Sequence, residues 1–441
     1  MSELFCGIDV GSTNIKVILV DDRRGVIARR HRPTPRLGQD HPPARAGDVE
    51  PHVLIHALED MIVDAWQAAA GGQPIAAIAA AGVGEDGFLV DAGLRPLTTA
   101  IAWFDSRAET EATWLASACD RSADTGLSFE PTRTAAKWLW LARHQPMEAP
   151  ATWIALTDYP AAWWAGETFM SETLAARTAC YDISGRAFLP ELLLAAQAPT
   201  LPPVRMAGEI VGQMLPGRLT RSGAATTATR LVAGGHDHPV AASVADLMSP
   251  GAVVDSLGTA EVVYAEAESP APPRPGIVRS VPVLHRSREA RFKVFEFSAT
   301  LAVLRVPTPG GDLLGELLAA DHIPLDNGAR TDMMAPQDIA EALGGADPQE
   351  ARRIAARLLV AATEVTADIL DDLAASGIDS GPLYATGGWS RSDSLMRLRA
   401  TALNRPIRRI GEPELAAFGA ALIAGARPDL SPLLKVSEIS A

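Results

Sequence analysis

The chain has 441 residues, 47% of them hydrophobic and 21% charged, with 39 Lys+Arg against 53 Asp+Glu and a net charge of −14. That length and balance predict two or three packed domains and exclude global disorder. So acidic a chain lacks the cationic footprint of a general nucleic-acid binder, yet a few backbone amides can still hold a small anion.

Leu4–Val10 is a short apolar run ending at Gly11-Ser12-Thr13, and 16–20 is a second. Asp21-Asp22 and Gly25 supply turn chemistry before a third run begins at Val26-Ile27. These β-branched runs predict two hairpins opening an antiparallel or mixed sheet. Residues 33–51 read as a Pro-rich surface connection. Over 52–70, Val53, Leu54, Leu58, Met61, Ile62 and Trp66 recur at helical spacing. Strands are expected at 75–83, 88–90 and 101–103.

The second half repeats this plan. An apolar run at 231–233 leads into Gly234-Gly235-His236-Asp237, and 252–255 leads into Ser256-Leu257-Gly258-Thr259. Pro348–Ala375 carries Ile354, Leu358, Ala361, Val365, Ile369 and Leu373 three or four apart, a helix pattern. A strand at 383–385 meets Gly387-Gly388, a helix follows at 393–403, and 413–424 closes the chain's pattern. Two α/β lobes with glycine turns at strand ends predict a cleft between them, with the boundary near 228–231.

Cys6, Cys119 and Cys180 are odd in number and far apart, so they draw neither a zinc pattern nor a disulfide framework. No signal-peptide pattern and no 18-residue apolar run is visible, and a soluble cytoplasmic protein without a membrane partner is expected.

Asp9-Val10-Gly11-Ser12-Thr13 with Lys16 joins two strands. A glycine turn can gather backbone amides around an anion, Ser12 and Thr13 add hydroxyls, and Lys16 adds charge. Asp9 can hold the waters of a magnesium ion beside phosphates. The same residues also suit an ordinary polar hairpin. A Walker A loop is excluded because a strand, not a helix, follows, and no Gly-x-Gly-x-x-Gly opens a helix. Gly258-Thr259 can clamp terminal phosphates. Gly387-Gly388 leaves bare backbone for a flat base, with Ser392 as a helix cap or adenine-side contact.

Asp237, at a strand end behind a glycine pair, is the candidate catalytic carboxylate, since phosphoryl transfer to an alcohol needs a group that accepts the hydroxyl proton. A metal held by His236 and His238 competes, as does Asp237 acting only as a helix cap. Glu85, Asp86, Trp103 and Asp105 are candidate contacts for a sugar or polyol, with His236 and Asp237 beside them. Trp103 would otherwise be core, and Asp105 with Arg107 a surface ion pair. Trp138, Trp140, Trp153, Trp163 and Trp164 are expected in the core.

Together these segments resemble the FGGY carbohydrate kinases, sugar and polyol kinases with the actin-like ATPase fold. Gly7-Ile8-Asp9-Val10-Gly11-Ser12-Thr13 with Lys16 is similar to the family's first phosphate motif. Gly47-Asp48-Val49-Glu50-Pro51, the Trp-x-Asp-x-Arg match at Trp103-Phe104-Asp105-Ser106-Arg107, and Ala136-Lys137-Trp138-Leu139-Trp140-Leu141 follow in family order. So do Gly234-Gly235-His236-Asp237, Ser256-Leu257-Gly258-Thr259, Gly387-Gly388 with Ser392, and Glu414 to Gly425.

The resemblance implies an α/β fold of two actin-like ATPase (ribonuclease H-like) lobes with a central cleft. Residues 1–230 would bind sugar and phosphate, and 231–441 would carry the catalytic Asp and the nucleotide. It implies ATP and Mg2+ as cofactors, Asp237 as general base and Asp9 near the metal through water. It also assigns phosphate roles to Ser12, Thr13, Lys16 and Thr259, and nucleotide roles to Gly388 and Ser392. Glu85 and Trp103 align with polyol-contacting positions of glycerol kinases.

Departures leave the acceptor open. Where xylulokinases usually carry Gln-Met-His-Gly this chain has Val83-Gly84-Glu85-Asp86-Gly87, and Gly84 replaces the Arg of glycerol kinases. Phe297-Ser298-Ala299-Thr300 also lacks the glycine-rich run expected there. The expectation is ATP-dependent phosphorylation of a ketose such as a pentulose, or of a polyol. A sugar-binding sensor on an inactive kinase scaffold, a sugar-independent ATPase and a homodimer stay open.

Overall fold

Strand β1, Leu4–Val10, is buried along its whole length, as expected of a central strand covered on both faces. The computed structural model describes residues 2–69, 72–258, 260–268, 270–308, 311–321, 323, 336–378, 381–428, 430 and 437–439. β1 turns at Gly11 into β2, Asn14–Asp21, and β2 pairs antiparallel with β3, Gly25–Pro33. Helix α1, Pro51–Ala68, starts on a proline whose missing N–H costs nothing there. Its Leu54, Ile55, Leu58, Met61, Ile62 and Ala65 form one buried stripe. β4, Ile75–Gly82, then runs parallel to β1.

β5, Ile210–Gln213, and β6, Arg230–His236, complete a six-stranded sheet in the order β5-β6-β4-β1-β2-β3. Helix α2, Asp237–Met248, follows β6 without a break. The expected strand at 101–103 is a single bridge from Ile101 to Gly87, because Gly87–Val90 pairs instead with Thr152–Ala155.

The second sheet uses β7, Val253–Leu257; β8, Glu261–Glu268; β9, Val278–Ser280; and β10, Arg288–Phe295. Helix α3, Pro348–Ala375, precedes β11, Leu383–Thr386; helix α4, Asp393–Ala402, precedes β12, Ile407–Arg409. Helix α5, Leu415–Ala424, and β13, Ser437–Ile439, end the description. The strand order is β9-β10-β8-β7-β11-β12-β13. β7 is antiparallel to β8 and parallel to β11, and β11 is parallel to β12. The run β10-β8-β7-β11-β12 thus repeats β3-β2-β1-β4-β6, the duplication anticipated in the chain's second half.

Two compact units result: 1–244 with 279–289 and 414–430, and 245–278 with 290–413 and 431–441. The first packs around β1, β4 and α1, and the second around β7, α3 and α4. Asp347 caps α3 by accepting from the N–H groups of Gln349 and Glu350 at 2.8 and 2.9 Å. Helix α5 lies on the first sheet so closely that a Cβ on Gly7 would sit 1.8 Å from the Ala417 carbonyl oxygen. No described helix is long and apolar enough to cross a membrane.

Candidate active site

Within the first unit, the β1–β2 turn closes with Gly11 N–H donating to the Asn14 carbonyl at 3.2 Å. A Cβ on Gly11 would stand 2.7 Å from that same oxygen, so the turn needs glycine. Ser12 is half-buried and Thr13 exposed. Asp9 ends up buried beside Lys16, whose Nζ lies 3.1 Å from Asp9 Oδ2 and 3.0 Å from Glu414 Oε2 on the approach to α5. Asp9 Oδ1 is buried with no hydrogen-bond partner among the described residues. Burial raises the Asp9 pKa to about 6 against the pull of Lys16, with Asp237 pushing it further up.

Asp237 opens α2 at the end of β6. The glycines before it have steric work: a Cβ on Gly234 would meet the Ala80 carbonyl oxygen at 1.8 Å, and one on Gly235 the Thr173 hydroxyl at 2.2 Å. They let β6 press against β4 and bring the next two residues to its end. Asp237 Oδ1 accepts from the backbone N–H of His238 at 2.7 Å and lies 2.6 Å from His238 Nδ1 and 3.3 Å from His236 Nε2.

No described protein group bonds Asp237 Oδ2, and the side chain is 25% exposed. Burial opposes its ionisation, but the histidines outweigh it, His238 first, and hold the carboxyl well below the usual range. His236 is itself pushed down to about 4 by burial, whereas the Asp237 carboxylate raises His238 above the ordinary histidine value against its own burial. His236, Asp237 and His238 bring ligand-type atoms within 4.8 Å of one another.

Glu85 sits on the loop after β4 and is gripped from far along the chain. Its Oε1 accepts from Arg133 at 2.9 Å and from Arg177 at 2.9 and 2.5 Å, while the buried Lys137 donates to its carbonyl at 2.7 Å. Despite burial, Arg177 and then Arg133 bring its pKa down to about 2. Oε2 is left for another donor. Arg133 and Arg177 were not singled out in the sequence; only their distance along the chain hid them.

Asp86 lies beneath this surface, 1% exposed, and accepts from Arg36 at 2.9 Å and from the Trp103 backbone N–H. Arg36 also donates to the Ser12 carbonyl at 2.7 Å. Trp103 is 40% exposed and therefore not core. Asp105 holds Arg107, which also binds Asp48. The Arg107 side chain is 1% exposed, so this is a buried network and not a surface pair. Trp138, Trp140, Trp153 and Trp164 are in the core as expected, and Trp163 packs at its edge.

In the second unit, Gly258, Ser298, Arg305, Leu318, Gly388, Trp389 and Ser392 line an open cavity of about 460 Å3. Gly387 has φ +92° and a Cβ there would meet the Leu257 carbonyl oxygen at 2.4 Å. A Cβ on Gly388 would meet nothing within 4 Å. Ser392 caps α4, accepting from Leu395 N–H at 3.2 Å. Ser298 donates to the Gly258 carbonyl and accepts from the Trp389 indole, both at 2.9 Å. Sequence reasoning overlooked Ser298, Trp389 and Arg305 as cavity residues, since no local pattern marks them. Thr259 lies outside the described residues.

Residues 4–243 match the FGGY family of carbohydrate kinases, N-terminal domain, and 301–427 match the family's C-terminal domain. A xylulose kinase of Escherichia coli (strain K12) is 26% identical over 97% of this chain and 91% of its own. One from Streptomyces coelicolor is 26% identical over 95% of this chain and 86% of its own. The crystal structure of xylulose kinase from Rhodospirillum rubrum superposes with a TM-score of 0.85 at 22% identity, covering 99% of this chain and 94% of that one. This last likeness carries the fold.

Proposed function

The chain belongs to the FGGY family of carbohydrate kinases, and we propose that it transfers the γ-phosphate of ATP to a hydroxyl of a small sugar, a ketose such as xylulose before a polyol. The observation that carries this reading is the Asp237 carboxylate, ionised at neutral pH with one oxygen unclaimed by the protein. An alcohol attacking a phosphoryl group needs such an acceptor for its proton.

Asp237 Oδ2 takes the hydroxyl proton as the oxygen attacks, Lys16 supplies positive charge beside the phosphate turn, and the Ser12 and Thr13 hydroxyls donate to phosphate oxygens. Glu85 Oε2 and the Trp103 face receive the sugar, one accepting from a hydroxyl and the other covering a C–H face. Asp86 and Asp105 act through Trp103 and Arg107 to keep that surface in place. In the second unit Gly388 and Trp389 suit an adenine ring, with Gly258, Ser392 and Arg305 around it.

The buried, unpartnered Asp9 Oδ1 fits a hard cation held through water, and Asp9 is the residue that would hold Mg2+. When bound, that ion neutralises phosphate charge. The curated relatives named xylulose kinase favour a pentulose acceptor, while the Val83-Gly84-Glu85-Asp86-Gly87 loop distinguishes this chain's sugar side.

The test is ADP release from Mg-ATP against pentuloses, hexuloses, aldoses and polyols. Turnover with one member supports the kinase and names its acceptor. Tight sugar binding with no ATP consumption for any member would instead support a sensor.

A further inference from the structure

The catalytic carboxylate is held more firmly on one side than its role requires. Three groups of the protein converge on Asp237 Oδ1: the His238 backbone N–H at 2.7 Å, His238 Nδ1 at 2.6 Å and His236 Nε2 at 3.3 Å. A carboxylate only accepts, so His238 Nδ1 carries the proton of the shortest contact. We propose that His238 is a positioning residue for the base: its imidazole and its own amide clamp Oδ1, fixing the carboxylate plane so that Oδ2 meets the acceptor hydroxyl. This rests on the reading of Asp237 as general base.

The surroundings explain why the ring of His238 and not that of His236 does this. His236 is 8% exposed, its Nδ1 has no partner among the described residues, and burial together with Arg177 keeps it neutral. His238 is 33% exposed and can be charged at lower cost. The charged groups facing it are Asp237 on its own helix, Arg177 from the segment after 172–175 and Glu85 from the loop after β4. Asp9 of β1 and His236 of β6 act on Asp237 from the other strands. Asp237 dominates over Arg177, so the ring's pKa is raised above the ordinary histidine value although burial opposes it. Charge-assisted bonds of this kind are stronger than neutral ones and directional.

The test uses the full-length protein in two arms. In the first, His238→Ala should lower kcat by about 10- to 100-fold with little change in the KM of either substrate. His238→Asn, whose side-chain amide N–H stands where Nδ1 does, should recover most of that loss. A His238→Ala variant with wild-type kcat, or an Asn variant no better than Ala, would overturn the proposal. In the second arm, needing no turnover, the imidazole of His238 is titrated by NMR. Its pKa should fall in Asp237→Asn relative to wild type, and equal values would overturn the clamp. Substantial turnover in Asp237→Asn would instead remove the base reading itself.

Discussion

The indole N–H of Trp103 donates to the Ser12 hydroxyl at 2.6 Å, joining a half-exposed aromatic ring to the β1–β2 turn. The link closes a circuit, because Trp103 N–H binds Asp86, Asp86 binds Arg36, and Arg36 binds the Ser12 carbonyl. The expected sugar surface and the expected phosphate turn therefore share one hydrogen-bonded ring of four residues. Trp103→Phe keeps an aromatic face but removes the donor. It should raise KM for the sugar and also for ATP, each by about two- to tenfold, the worth of one hydrogen bond. A change confined to the sugar would show that the circuit does not couple them. Steady-state kinetics with both substrates varied checks this.

Gly7 and Gly388 should part company. Gly7→Ala puts a methyl into the Ala417 backbone of α5, which cannot give way cheaply, and should cost about 1–3 kcal/mol in urea unfolding. At Gly388 the same methyl meets no neighbour and the backbone is right-handed helical, so stability should hold within about 0.5 kcal/mol. ATP KM should nevertheless rise for Gly388→Ala, since the methyl enters the cavity.

Ser298 braces Gly258 against Trp389. Ser298→Ala releases the Gly258 carbonyl and orphans the indole N–H together. Nucleotide affinity, read by calorimetry with ADP, should fall about threefold or more while sugar affinity is unchanged.

Asp158 gives a pH signature in stability. Its carboxyl is buried, accepts from the Ser171 N–H and hydroxyl at 2.7 and 2.5 Å, and is pushed by burial to about 7. The folded chain thus holds this proton more tightly than the unfolded one. Its contribution favours folding fully below the unfolded carboxylate value and declines as pH rises from about 4 to 7. Asp158→Asn does not titrate: its amide oxygen can accept from the Ser171 N–H while its NH2 donates to the Ser171 hydroxyl oxygen. Its Tm should exceed wild type at pH 8 and match it near pH 4; equal Tm values at both would contradict the assignment.

What was legible in the sequence is what local pattern writes. The apolar run into Gly11, the glycine pair before Asp237 and the Gly387 turn each follow from steric demands that only glycine meets at a strand end. Partnerships across the chain leave no such mark. Glu85 depends on Arg177, 92 positions away, and Trp389 on Ser298, 91 away. Asp105 was expected at the sugar, with a surface pair to Arg107 as the alternative, because two opposite charges two residues apart usually are one. It took Asp48, brought in by folding, to bury them. The segment that forms helix α5 was visible as the close of the pattern, but its seat on β1 was not, because the contact is made by backbone against glycine.

The measurement closest to the central claim is a comparison of wild type with Asp237→Asn, using ADP release together with separate binding titrations for ATP and the acceptor sugar. The account predicts turnover lower by about two to four orders of magnitude, the usual worth of a positioned general base, with both affinities near wild type. Turnover close to wild type, with affinities equally unchanged, would contradict it.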